Sequence, residues 1–302
     1  SMMSLYSLIY NKLKSSSFGK KDFKNYSAGL LVKLATLVSQ LLLIPIYINS
    51  VGTNIYGEWL LLTTIPNYLL LSDLGLTVTV TNEICKLNAI KEFDKARTLF
   101  KSTNSLILLI GLFIFLIFTI SFYFIDFKVL LQINNFSESA LEGVLFIYLI
   151  SVISSLLFTF NLAQFKAFDR FYKYELFNSY LYFSDFLTTL FVLLLEAELY
   201  FVPVFIIFNR VLFFFITKKE LCRFQSYRYG FSRNISAAKG MVKISIRYVM
   251  FSLGTALILQ GSTFLIGIKL GSTQVVVFYT VRTLCNSLKA FLSILYLPTM
   301  PE

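Results

Sequence analysis

The 302-residue chain contains no histidine and only three cysteines, Cys85, Cys222 and Cys285, which lie far apart in the sequence. Zinc sites use closely spaced cysteines and histidines, and disulfide frameworks use paired cysteines, so we expect neither of them. Histidine is also the side chain that ordinarily titrates near neutral pH, so any proton-coupled step would depend on carboxylates. We predict that the protein uses no metal and no cofactor.

Charged residues are scarce as well. They make up 14% of the chain, whereas a soluble globular domain carries roughly 25%. Hydrophobic residues reach 57% and aromatic residues 17%. The chain therefore has too little polar surface to fold in water, and we expect it to lie in a lipid bilayer.

Apolar stretches long enough to cross a membrane recur eight times. An α-helix needs about 20 residues to cross a hydrocarbon core about 30 Å thick. The segments are 26–50, 56–81, 105–125, 141–163, 176–195, 199–217, 246–268 and 274–297. Strands of a β-barrel would be shorter and would alternate in polarity. The predicted fold class is an all-α polytopic membrane protein with about eight transmembrane helices.

The net charge of +11 could suggest a nucleic-acid partner, but the lysines and arginines avoid the apolar segments. They cluster in the amino-terminal tail, 1–25, and in alternate loops near 86–101, 166–173 and 218–247. The other loops carry mainly acidic residues. By the positive-inside rule we expect a multi-pass protein of the bacterial inner membrane, with its amino terminus in the cytoplasm and no nucleic acid bound.

A short internal repeat suggests how the segments are organised. Gly52 precedes the second segment and Gly271 precedes the eighth, 219 residues later, and Asn67 and Asn286 have the same separation. A parallel repeat of a six-helix unit would explain this spacing, and so would chance. The expected organisation is a basic, amphipathic cytoplasmic tail (1–25), a six-helix lobe (26–217), a basic cytoplasmic inter-lobe loop (218–245) and two helices of a second lobe (246–302), so the chain is expected to be cut short.

A recognisable pattern follows the first segment: a glycine, a short gap, Tyr-Gly-x-Trp and then Asp-Leu-Gly-Leu. Its residues are Gly52, Tyr56, Gly57, Trp59, Asp73 and Gly75. The pattern resembles the amino-terminal signature of the O-antigen and polysaccharide flippases (Wzx-type), in the multidrug/oligosaccharidyl-lipid/polysaccharide exporter superfamily. A second likeness lies in Gln164, Phe168-Asp169-Arg170-Phe171 and Asn178.

The resemblance implies two six-helix lobes around a central lumen. It implies that an undecaprenyl-pyrophosphate-linked glycan moves from the cytoplasmic to the periplasmic leaflet, by ion-coupled or gradient-driven alternating access. Other O-antigen assembly proteins would be partners. Members usually have twelve or more helices, so a chain of eight would lack the last four.

Several cationic side chains fall inside the predicted segments, where charge is costly and usually faces a lumen or a partner. Lysine and arginine suit the anionic oxygens of a pyrophosphate, so we predict a cationic lumen. Snorkelling of Lys33 or Arg210 to the membrane surface is the alternative. The residues of the predicted lumen are Lys33, Gln40, Arg210, Arg282, Asn286 and Lys289.

Two embedded carboxylates, Asp73 and Asp185, have two possible roles. Either they pair with the embedded cations, or they bind a coupling ion or proton. Two other residues of the pattern, Tyr56 and Trp59, are expected to anchor the protein at the outer membrane interface. The glycines are expected to permit turns or close helix contacts.

The sequence lacks a Gly-x-x-x-x-Gly-Lys-[Ser/Thr] phosphate loop, so we predict neither an ATPase nor another enzyme. Two alternatives to a flippase stay open. A multidrug exporter of the same superfamily would favour an acidic lumen, whereas the embedded charges here are mainly basic. A membrane polysaccharide polymerase or ligase would need larger outer loops than the sequence offers.

Overall fold

A computed structural model describes residues 20–70, 75–224 and 227–296, which are predominantly helical and contain no strand. The amino-terminal half comprises α1 (Lys20–Leu69), α2 (Leu76–Ala89), α3 (Phe93–Ser121), the single turn α4 (Phe127–Leu130) and α5 (Glu138–Ala167). It is followed by α6 (Phe171–Leu194), α7 (Phe201–Leu221) and α8 (Ser236–Ala256). A π-helical turn, Leu257–Gly261, joins α8 to α9 (Ser262–Leu270), and α10 (Ser272–Tyr296) completes the described chain.

The all-helical fold is confirmed, and so is its suitability for a membrane. In the described part of the chain, five helices are long and apolar enough to cross a bilayer: Gly29–Leu69, Phe93–Ser121, Glu138–Ala167, Phe171–Leu194 and Phe201–Leu221. The expected count of eight is not confirmed by these residues. Predicted segment 56–81 is divided between α1 and α2, and predicted segment 246–268 between α8, the π-helical turn and α9.

Local capping sets the start of α5, which lies close to its predicted boundary. The hydroxyl of Ser137 accepts a hydrogen bond from the backbone N–H of Ala140 at 3.3 Å, and Glu138 lies in the first turn. Both features stabilise the positive end of a helix. The helix ends at Ala167, shortly before Asp169, whose φ of 59° is incompatible with a continuing helix.

Two glycines share a backbone conformation that other residues rarely adopt. Gly52, where α1 bends, has φ 83° and ψ 162°, and Gly271, between α9 and α10, has φ 89° and ψ 171°. The hydroxyl of Thr273 donates to the side-chain oxygen of Asn54 at 2.7 Å, and these residues are also 219 apart. The matching conformations and this contact agree with a parallel repeat.

Two apolar clusters occupy the two ends of the bundle. One joins residues of α1 on both sides of the bend at Gly52 to α4, the start of α5, the end of α6 and the start of α10. The other joins α2 and the start of α3 to the ends of α5 and α7. The second end carries the connections at 90–92, 168–170 and 222–235, which lie within the basic stretches 86–101, 166–173 and 218–247 of the sequence. We call it the basic end, and we call the first the acidic end.

Side-chain contacts hold the basic end together. The amide of Asn88 donates to the carbonyl of Ala167 at 3.2 Å, and the rings of Phe168 and Phe224 stack 4.4 Å apart. These contacts bring three connections that the charge pattern assigned to the cytoplasm to one side of the bundle.

The connection between α7 and α8 packs tightly on the bundle. The hydroxyl of Ser102 donates to the carbonyl of Asn234 at 2.8 Å, and the N–H of Ser232 donates to the hydroxyl of Ser105 at 2.8 Å. The predicted inter-lobe loop, 218–245, is also shorter than expected, because α7 continues to Leu221 and α8 begins at Ser236.

Tyr227, in this connection, is buried against the bundle. Its hydroxyl donates to the side-chain oxygen of Asn161 at 2.5 Å, and the amide of Asn161 donates to the hydroxyl of Thr217 at 3.1 Å. Asn161 and Thr217 are fully buried. Burial raises the pKa of the Tyr227 hydroxyl, so this group remains a protonated donor.

Replacing Tyr227 with phenylalanine is expected to lower the free energy of unfolding by about 1–2 kcal/mol, because the buried side-chain oxygen of Asn161 loses its donor. Thermal unfolding of the purified protein would measure the change. Tyr123→Phe is the matched control, since the Tyr123 side chain is 85% exposed. Equal unfolding midpoints for both variants would show that the Tyr227 hydrogen bond does not stabilise the fold.

Candidate functional site

Tyr56 and Trp59 lie in the protein core, so the prediction that they anchor the protein at the membrane interface is wrong. Each is 3% exposed. Tyr56 stacks on Tyr47 at 4.7 Å between ring centroids, and Trp59 packs on Tyr148 at 5.8 Å. The bend at Gly52 turns this part of α1 into the bundle, and sequence position alone cannot reveal that change of direction.

Gly57 permits the closest backbone approach in this region, as the glycine prediction proposed. A Cβ atom added there would lie 2.1 Å from the carbonyl oxygen of Ser272 at the start of α10. Such a distance is well inside van der Waals contact. The two chain segments that carry the repeat therefore touch where the glycine stands.

Glu58, between these residues, is a buried carboxylate at the acidic end. It is 1% exposed and accepts hydrogen bonds from the backbone N–H groups of Asn134 and Asn135, at 2.9 and 3.0 Å, and from the Asn135 amide at 2.9 Å. Bonds from neutral amides satisfy the charge and fix the α3–α5 connection on α1. The Tyr-Gly-Glu-Trp run thus acts in packing.

A polar face on α6 is the strongest candidate site. Glu175, Asn178, Tyr182 and Asp185 follow one another at spacings of three and four residues, which places them on one side of the helix. The helix packs along α1, and its neighbours in the bundle are α5 and α7. We call these four residues the α6 ladder, and it runs from the basic end towards the middle of the bundle.

In the middle of the bundle, the ladder ends in an ion pair between Asp185 and Arg210. The two guanidinium nitrogens donate to the two carboxylate oxygens at 3.2 and 2.9 Å, and the side chains are 21% and 15% exposed. Each residue lies nine positions from the acidic end of its helix, about 14 Å along the axis. Arg210 is therefore held deep in the bundle by a bidentate partner rather than extended to the surface.

Neighbouring groups complete the surroundings of this pair. The amide of Asn209 donates to Asp185 at 2.9 Å, and the hydroxyl of Ser184 donates to the side-chain oxygen of Asn209 at 3.0 Å. The guanidinium of Arg210 also lies over the ring of Phe158, 6.0 Å from its centroid. These contacts fix both charges in position.

At the basic end of the ladder, charged side chains from three helices interact with one another. Glu175 of α6 interacts electrostatically with Lys166 of α5 and with Lys33 of α1. The ammonium group of Lys166 lies over the ring of Tyr174, 3.7 Å from its centroid. Lys33, one of the predicted lumen residues, therefore belongs to a charged cluster at the basic end.

Tyr182 lies between the two charged groups. It interacts electrostatically with Arg210, Asp185 and Glu175. A continuous polar face therefore connects the lysine cluster at the basic end with the arginine pair in the middle of the bundle.

The other predicted lumen residues belong to α1 and α10 and are not part of the α6 ladder. Arg282 donates to the hydroxyl of Thr263 at 2.8 Å and lies over the rings of Phe278 and Tyr279, at 5.4 and 5.2 Å, so it contacts the α9–α10 hairpin. Three side chains are exposed: Gln40, Asn286 and Lys289. Of the remaining pattern residues, Asp73 lies outside the described residues, and Gly75, with φ 89°, precedes the first turn of α2.

Sequence reasoning missed Glu175, Lys166 and Tyr182 as site residues. Lys166 falls in a basic loop of the charge pattern, and Glu175 stands one position before predicted segment 176–195, so neither counts as an embedded charge. The three- and four-residue spacing along α6 was visible in the sequence and is the signal that would have found Glu175 and Tyr182.

No family model, curated protein or solved structure matches this chain. In the part of the chain that the structure describes, no group of three or more histidine, cysteine, aspartate or glutamate residues could hold a metal ion. What the site can do follows from its own chemistry: two cationic positions, about 15 Å apart, joined by a polar helix face in an apolar bundle.

Proposed function

We propose that this chain moves an undecaprenyl-pyrophosphate-linked O-antigen or polysaccharide repeat unit from the cytoplasmic to the periplasmic leaflet of the bacterial inner membrane. The observation that carries the proposal is the α6 ladder with its cations at the basic end and in the middle of the bundle. A lipid with a charged, sugar-bearing headgroup needs a polar path through an apolar core, while its polyprenyl tail remains in the lipid.

Arg210 is the residue we assign to the headgroup in the middle of the membrane. Its two nitrogens hold the two oxygens of Asp185, and phosphate oxygens fit the same planar arrangement. A bound diphosphate would compete with Asp185 for the guanidinium. Asp185, once released, is the group that would take up a proton or a coupling ion.

The repeat supports a two-lobe mechanism. Gly52 and Gly271 adopt one conformation, and Asn54 bonds to its counterpart Thr273. We propose that Gly52 and Gly271 occupy equivalent positions of two lobes whose relative movement opens the lumen to alternate sides. In this arrangement the exposed side chains of Gln40, Asn286 and Lys289, together with Arg282, line the lumen between the lobes.

The proposal is tested by complementation in bacteria that lack their own O-antigen flippase. A set of host strains with different repeat units presents the chain with a range of sugars. We expect the unmodified chain and the control Lys86→Gln to restore surface polysaccharide, because the Lys86 side chain is 74% exposed. We expect little or no surface polysaccharide from Arg210→Lys, which keeps the charge but loses the bidentate geometry.

Membrane insertion of each variant is measured in the same cells. A well-inserted, unmodified chain that restores no surface polysaccharide in any host would contradict the proposal. Drug resistance conferred by that chain would favour an exporter instead.

A further inference from the structure

We propose that Lys33, Lys166 and Tyr174 form a second anion site, at the basic end of the α6 ladder, that captures the diphosphate of a membrane lipid before the headgroup reaches Arg210. The identity of the lipid rests on the proposed function. The chemistry recognised, a diphosphate attached to an apolar chain, follows from the residues and their depth.

Three helices bring their charges to one place. Lys33 comes from α1, Lys166 from α5 and Glu175 from α6, and the carboxylate of Glu175 interacts with both ammonium groups. The three side chains together carry two positive charges and one negative charge. A group of charges with a net positive sum attracts an anion more strongly than a simple ion pair does.

The depth of the cluster matches the level of lipid phosphates. Lys166 is the last but one residue of α5, and Glu175 lies four residues into α6, about 6 Å from its start. Lys33 lies nineteen residues before the bend at Gly52, about 28 Å along α1, which is nearly the thickness of a hydrocarbon core. All three therefore lie near one membrane surface.

Tyr174 holds the Lys166 ammonium group in position. The distance of 3.7 Å between this nitrogen and the ring centroid is a close cation–π contact. The ring covers one side of the ammonium group and leaves its other hydrogens to bind an anion. Since the Lys166 side chain is exposed, a ligand can reach it from the lipid or from water.

The cluster lies at the start of the polar face rather than apart from it. Tyr174 stands one turn before Asn178, the second residue of the α6 ladder, on the same side of the helix. Glu175 and Asp185 are ten residues apart, about 15 Å along the helix axis. This distance separates two binding positions, so the headgroup would pass from the lysine cluster to Arg210 in sequence.

Binding of defined probes to the purified 302-residue chain in nanodiscs of neutral lipid tests this inference. The probes are farnesyl diphosphate, inorganic pyrophosphate and phosphatidylglycerol incorporated into the disc. We expect Lys166→Gln to weaken farnesyl diphosphate binding about tenfold or more, because a charge-assisted contact is lost. Lys86→Gln is the matched control and should bind as the unmodified chain does.

Tyr174 gives a test that charge alone does not explain. Tyr174→Phe keeps the ring beneath the ammonium group and should retain binding, whereas Tyr174→Leu removes the ring and should weaken it. Stronger binding of farnesyl diphosphate than of pyrophosphate would identify a lipid as the ligand. Equal binding of the two would identify free diphosphate and overturn the assignment to a membrane lipid.

Two further results would overturn the site itself. One is unchanged farnesyl diphosphate binding in Lys166→Gln with a normal unfolding midpoint, and the other is equally effective competition by phosphatidylglycerol. The assay requires no transport. A chain that fails to complement but binds diphosphate through Lys166 would therefore contradict the proposed function and leave this site standing.

Discussion

Replacing Gly57 with alanine is expected to lower the free energy of unfolding by about 3 kcal/mol, or to prevent folding altogether. The added Cβ atom would lie 2.1 Å from the carbonyl oxygen of Ser272. The obstacle is backbone, which cannot rotate away as the end of a side chain can. The contact between α1 and the start of α10 would have to open, and the hydrogen bond between Asn54 and Thr273 lies close to it.

Gly143→Ala is the matched control for this prediction. Gly143 also lies within a helix, α5, but a Cβ atom added there would meet nothing within 4 Å. The control should be neutral or more stable by up to about 1 kcal/mol, because alanine favours a helix over glycine. The two unfolding midpoints measured in one detergent would compare the variants. Similar midpoints would mean that α1 and α10 do not touch at Gly57.

Neutralising one member of the Asp185–Arg210 pair is expected to destabilise the protein by about 3–5 kcal/mol, because the remaining charge stays buried without its partner. Asp185→Asn and Arg210→Gln should both show this loss. The double variant should regain most of the stability, since two amides can hydrogen-bond to each other without any net charge.

A double-mutant cycle of unfolding free energies measures this coupling. The control cycle uses Glu92→Gln and Lys95→Gln on α3, whose side chains are 38% and 71% exposed and should couple by less than about 1 kcal/mol. Additive losses at Asp185 and Arg210 would contradict a paired state. A stable double variant that no longer transports would separate the role of Arg210 in transport from its role in folding.

The sequence by itself determined the class of protein and the places of most helices. Predicted segment 141–163 lies inside α5, predicted segment 176–195 passes the end of α6 by one residue, and predicted segment 274–297 nearly coincides with α10. The reason is local: a stretch of about 20 apolar residues must satisfy its own backbone hydrogen bonds in lipid, and only a helix does so within one segment. The two equivalent glycine turns were also visible, because a positive φ favours glycine.

Only the tertiary structure decided which side chains meet. Hydropathy treats Tyr56 and Trp59 as interfacial aromatics, and the bend at Gly52 turns them into the core. Periodicity places Asp185 and Arg210 on their own helices, but the antiparallel register of α6 and α7 makes them a pair. Glu175 and Lys166 stand at the ends of their helices, where sequence reasoning treats charge as solvated, and the packing of α1 against α6 gathers them with Lys33. Contacts between distant segments depend on bend angles and helix register, and these are set by packing over the whole bundle rather than by any local run of residues.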